Sequence, residues 1–349
     1  MANPQQAAIK AQAELHHAYL LGLQLMVATR HGEKTMEEWM FRLFHRQHLD
    51  KFLSSFEKLG LSGLPDAVAC ARYHVISNSI GGVPVEYMEE SPKKAWVRFR
   101  YPRWMYDGPT LCGVTPGVGR GFLRGWYAHN GISLKNPRLG YVCVSEDVTG
   151  EFGFCGYFKE YDHDLKDEER LQFSKGELPP PFDADSQPAP PASDWSAERL
   201  AKANRNYAME YVRNGLTELS QVIGEESTLE IGQLSARLIG LQYYPKIAQF
   251  MEAADGNCID ARNFLMDVMI GLGDDVFATD HATLDQASFE QTGLRILKGL
   301  EGKERQLLFA CWQELWVGCL RSHREMLDLN VEKINEEKIV WHIFNRRNG

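Results

Sequence analysis

Between Arg98 and Tyr157 the sequence gathers side-chain types that could hydrolyse a small anionic molecule: arginines, a histidine and two cysteines. Arg98 or Arg103 could hold a carboxylate through paired N–H donors, with Arg100 between them. His129 could act as general base, because an unperturbed imidazole titrates near neutrality. Cys155 or Cys143 could be the nucleophile, provided that His129 or a nearby arginine lowers the thiol pKa. Trp104, Tyr106, Trp126 and Asn130 offer aromatic surface and an amide for contact with the substrate. The same side chains also have a purely structural reading, in which the thiols pack, His129 closes a helix end and the arginines are solvated.

Other groupings point to other chemistry. His45 and His48 stand three apart, close enough on a helix to share a metal, and Glu14 with His17 has the Glu-x-x-His spacing of di-iron bundles. A bundle-type site also needs a second such motif and two further glutamates on facing helices, and no such copy is evident, so exposed helix polarity is the plainer account, and a metal-dependent enzyme is an alternative. Otherwise no cofactor is expected. The sequence contains neither a G-x-S-x-G nucleophile elbow nor a Walker loop, H-E-x-x-H or zinc-ligand spacing. Gly113 to Gly121 is glycine-rich ahead of a helix but follows no strand. It reads as a flexible lead-in or a place of close backbone packing rather than a dinucleotide turn.

The elements that must position these residues follow from periodicity. Met36, Trp39, Met40, Leu43, Phe44, Phe52, Leu53 and Phe56 recur at helical spacing, and Pro65-Asp66 opens a second helix that ends at Gly81-Gly82. Val83, Val85 and Tyr87, then Val97, Phe99 and Tyr101, alternate as a hairpin. Thr115-Pro116 starts a helix running to Asn130-Gly131, and Leu139–Ser145 with Phe152–Phe158 make a second hairpin. Alternation places Cys155 on the face opposite Phe152, Phe154 and Phe158.

From Glu177 to Trp195 the chain holds six of its fifteen prolines and almost no large apolar residue, which predicts an extended surface linker. The domains expected are 1–175, carrying the candidate site, a linker at 176–195, and 196–349. The second half reads as a diverged repeat: helices at Tyr207–Ile223, Gln233–Met251 and Asp260–Gly271, then a long helix from Lys303 past His323 and two closing strands. His323 then corresponds to His129, but the first hairpin finds no clean counterpart between Val276 and Phe289. At 349 residues, two such domains are comfortable.

The net charge of −9 argues against nucleic acid. No apolar run approaches the ~18 residues of a membrane helix, and no apolar core follows a basic start, so neither a membrane span nor a secretory signal is expected. Seven irregularly spaced cysteines fit reduced thiols in a cytoplasmic protein.

The segment Val148 to Asp162 resembles the closing strands of 4-vinyl-reductase-like domains and of the related 2-amino-thiazoline-4-carboxylate hydrolase-like family. In those, a Gly-Asp turn precedes a strand with a cysteine followed by an aromatic. Here Gly150-Glu151 would stand for the turn and Cys155 for the cysteine, with Gly156 directly after it. The resemblance spans about residues 67–161 and includes the order of helices, hairpin and helix. It implies an α/β unit that binds small apolar or anionic molecules, and in the hydrolase members the opening of a C–S or C=N ring.

The expected fold is α+β: two similar helix-rich domains, each with helices packed on a short antiparallel sheet, related by internal duplication. The expected function is hydrolysis of a small anionic or heterocyclic substrate in the first domain. The alternative is a non-catalytic small-molecule binding or sensory protein. A homodimer is compatible with either.

Overall fold

The computed structural model describes residues 4–101, 108–191 and 195–348. The chain is α+β, with two separate sheets, and it divides into two compact units. One is Val27–Ala203; the other joins the chain through Met26 to the chain from Asn204 on. The division thus differs from the boundary drawn on the sequence. The first helix, α1 (Pro4–Phe56), serves both units and is interrupted at Gly32, whose φ of 82° and ψ of 177° leave the helical region.

In the Val27–Ala203 unit, α2 (Asp66–Ile80) begins directly after Pro65, as expected of proline at a helix start. The hairpin β1 (Val85–Ser91) and β2 (Lys94–Phe99) follows, then α3 (Gly117–Gly125), a 3-10 turn at Tyr127–His129 and the short α4 (Asn130–Ser133). The strands β3 (Leu139–Ser145), β4 (Cys155–Glu160) and β5 (Leu171–Phe173) complete a sheet of order β1-β2-β4-β3-β5, with only β5 parallel to its neighbour. The second hairpin strand starts at Cys155 rather than at Phe152, which is 77% exposed.

The glycine-rich stretch is a close-packing device. A Cβ on Gly117, Gly121 or Gly125 would come under 3.0 Å from the carbonyl oxygens of Glu33, Glu37 and Phe41 on α1. Four-residue spacing on both helices makes this a ladder of backbone contact, reinforced by the Arg124–Glu37 ion pair at 2.7 Å.

The two faces of this sheet have different partners. On one, Phe158 stacks on His74 of α2 at 5.4 Å and Tyr141 meets Tyr127 at 4.7 Å. On the other, Met88, Trp96, Val142, Val144, Cys155 and Tyr157 form a buried apolar cluster. The proline-rich segment covers this second face. Glu177 accepts from the Tyr157 hydroxyl at 2.8 Å and from Lys94 Nζ at 3.2 Å. Gln187 clamps the edge of β1, accepting from Tyr87 N–H at 2.9 Å and donating to Tyr87 C=O at 2.9 Å. What reads in sequence as a linker therefore behaves, as far as residue 191, as a cover, because polar side chains can anchor extended chain without apolar ones.

The other unit repeats the plan. After α5 (Ala197–Ile223) and α6 (Glu225–Phe250), α7 (Cys258–Leu272) begins at a capping box of Asn257 and Asp260 and ends at Gly273, φ 85°. The strands β6 (Asp275–Ala278) and β7 (Gln286–Thr292), helix α8 (Gly302–Arg321), and β8 (Leu327–Lys333) with β9 (Lys338–Asn345) follow. Their sheet runs β6-β7-β9-β8, all antiparallel, the same order as β1-β2-β4-β3. The first hairpin thus has a counterpart after all, hidden in sequence because β6 is four residues long and largely exposed. Glycine packing recurs too: Gly318 of α8 lies on the Arg237 carbonyl of α6, and Gly240 of α6 on that of Leu315.

Candidate functional site

Arg98 on β2 and Cys155 on β4 are direct cross-strand partners on the covered face of the first sheet. Together they open on a pocket of about 190 Å³, walled also by Val144, Ser145 and Phe152 and closed by the segment 175–179. Phe152 and Leu178, 77% and 73% exposed, flank its mouth. Glu151 and Lys175 pair across it at 2.9 Å.

The charges are arranged in pairs. Arg98 Nε lies 3.1 Å from Glu86 Oε2, and Glu86 Oε1 also holds Arg100 Nε at 3.4 Å. Burial acts to raise the Glu177 pKa, and the hydrogen bonds from Tyr157 and Lys94 outweigh it, so this carboxyl sits below its ordinary range. Burial pushes the Cys155 thiol up to about 12, although Arg98 draws it down. At pH 7 the ionised fraction is on the order of one in 10⁵. Cys143 is raised as well, first by burial and then by Glu146, and its thiol donates to the Ser145 carbonyl at 3.4 Å. By alternation it shares the face of Tyr141, not that of Cys155.

His129 does not join Arg98 and Cys155; it is absent from the pocket lining. It belongs to an imidazole cluster against α1, with ring centroids 4.3 Å from His45 and 6.1 Å from His48. Its Nδ1 donates to the Arg124 carbonyl at 2.8 Å, and burial lowers its pKa. His48 is depressed to about 3, chiefly by burial and then by His129, with its Nε2 2.8 Å from Ser133 Oγ. Asn130 is a buried core residue whose amide donates to His74 Nε2 at 2.9 Å. Trp126 packs among Phe44, His48, Tyr73 and His74. Arg103, Trp104 and Tyr106 lie outside the described residues.

The expected convergence of His129 with Cys155 thus fails on geometry, and Cys143 does not line the pocket. The helix bearing His129 packs on the Phe158 face, and strand alternation turns Cys155 the other way. The sequence reading missed Glu177 and Leu178, which come from the supposed linker, and Lys175 just before it. Their signal was charged and apolar residues punctuating a proline-rich run.

Among the described residues, no group of three or more His, Cys, Asp or Glu is disposed to hold a metal ion. Glu14 pairs with Lys246, and the His17 ring stands edge-on to Tyr207 at 6.0 Å. All seven cysteines are free, and only Cys112 is exposed. None of the described helices is long and apolar enough to cross a membrane. No protein-family model, curated protein or solved structure matches this chain.

Proposed function

We propose that the Val27–Ala203 unit binds a small, mainly apolar anion in the pocket beneath residues 175–179, and does so without covalent chemistry. The observation that supports this reading most is the joint opening of Arg98 and a protonated Cys155 on one apolar pocket that His129 does not line. A guanidinium has five N–H donors, so the Nε–Glu86 contact leaves others for a ligand carboxylate. A thiol held near 12 is a packing group and a poor nucleophile. Free thiols throughout the chain fit a reducing compartment such as the cytoplasm.

Benzoate is a suitable probe. Saturation-transfer NMR should detect its binding to the native chain, and Arg98→Gln should weaken it about tenfold or more. Equal binding by that variant removes the proposal. Iodoacetamide at pH 7 with peptide mapping separates binding from catalysis, with exposed Cys112 as the internal reference. Alkylation confined to Cys112 supports a binding site. Rapid alkylation of Cys155, blocked by benzoate, would instead support the ring-opening hydrolase that the family resemblance implies.

A further inference from the structure

A feature that this reading leaves unused is a cavity of about 510 Å³ in the other unit, within the ordinary range of small-molecule sites. We propose that it is a second ligand site, for an amphipathic monoanion such as a medium-chain or aromatic carboxylate. It lies between the first turns of α8 and the turn joining β8 to β9. Leu294, Leu297, Phe309 and Ile339 give it an apolar wall, and Arg305 and Lys333 bring positive charge to it.

The two cations differ in availability. Arg305 is committed: its Nε lies 3.0 Å from Glu336 Oε2, and it also donates to the Leu297 carbonyl at 3.2 Å. Lys333 has no carboxylate within ion-pair distance among the described residues, and its Nζ sits 4.5 Å from the centroid of the Phe309 ring. One uncompensated ammonium over an aromatic wall defines the ligand: a single negative charge at the rim and an apolar body against Phe309. The N-terminus of α8 adds to this field, since Gly302 lines the cavity and no side chain caps that helix end. The wall also holds strained backbone, for Leu294 adopts φ 27°, ψ 55°, a conformation that side chains of this type rarely take. The pocket of the Val27–Ala203 unit is separate in position, lining and volume, so the two proposals stand or fall independently.

The test uses the full chain and the fluorescent anion 8-anilinonaphthalene-1-sulfonate. Fluorescence should saturate at one probe per chain and be reversed by octanoate, but not by 1-octanol at equal concentration. Lys333→Gln should raise the probe's Kd at least about fivefold. Gln306→Glu, at an exposed position that lines the cavity, should do the same by introducing a negative charge. Asn330→Ala, outside the cavity lining, should leave the probe's Kd unchanged. Absence of saturable binding, displacement by octanol as effective as by octanoate, or native affinity in either cavity variant overturns the proposal.

Discussion

The two sheets run in one strand order, yet the faces turned away from their helices are built to opposite rules. In the first, Met88, Trp96, Tyr157 and Val142 make a continuous apolar row across four strands, sealed by residues 174–191. In the second, the matching face carries Ser288, His342 and Asn330, then Glu290, Val340 and Glu332. Its polar groups satisfy one another, with Ser288 Oγ 3.0 Å from His342 Nδ1 and Lys338 Nζ 2.7 Å from Glu290. The repeat therefore supplies the scaffold, and the candidate site is completed by a covering segment on one copy, residues 175–179. The other copy keeps a polar, partly exposed face and has a cavity against α8.

The strongest way to break this comparison is to remove the centre of the covered row. Trp96 is fully buried, and its Nε1 donates to Glu90 at 2.8 Å. Trp96→Ala should destabilise by about 3–5 kcal/mol in urea unfolding. Asn330→Ala on the other sheet should stay within about 0.5 kcal/mol. Similar losses from both would mean that the second face is covered as well.

Acid should also separate the units. His48 falls to about 3 and His74 well below its usual range, both through burial first. Between pH 3 and 6.5 the unfolded chain binds more protons there than the folded one, so stability rises with pH across that window and is complete above it. At pH 5, His48 alone should cost about 2 kcal/mol relative to neutral pH. In the other unit His16 and His17, lowered to about 4 and about 3 mainly by burial, act in the same direction. Asp274 opposes them, because burial raises that carboxyl to about 6 and its contribution is lost as pH rises through 6. The Val27–Ala203 unit should therefore unfold first on acidification, followed by amide exchange, and His48→Gln should flatten its pH dependence. Earlier acid loss in the other unit would reverse the comparison.

Much of this fold was legible, and the reasons are local. Strands β3 and β4 are short apolar runs either side of a turn, and α2 is marked by proline at one end and glycines at the other, so pattern located them to within a few residues. Short elements defeated the same reasoning: β5 has three residues and pairs in parallel, and β6 has four, too few to show a period. For the candidate site, Arg98 and Cys155 stand out in sequence by residue type alone, and their cross-strand pairing is seen only in the structure. His129 was placed with them although the pattern already argued otherwise. A helix packed on Phe158 cannot meet a side chain that points from the opposite face. Glu177 and Gln187 were invisible because their partners, Tyr157 and the Tyr87 backbone, are remote in sequence.

The smallest effect tests the cover itself. The Gln187 amide meets both the N–H and the C=O of Tyr87, occupying the open edge of β1 as a neighbouring strand would. Removing it in Gln187→Ala forfeits two hydrogen bonds at a partly solvated edge, where water replaces most of what is lost, so the net cost should be about 1 kcal/mol. That cost is local: it favours detachment of residues 180–191 without touching Trp96 or the helix-packed face, and the thermal midpoint should move by only about 2 °C. Opening of the cover should nonetheless become about fivefold more frequent. Limited proteolysis between 180 and 191 should accelerate by that factor while cleavage elsewhere keeps its native rate. An unchanged rate would show that prolines and Glu177 hold the segment down without the clamp, leaving the first sheet's cover a rigid part of its core.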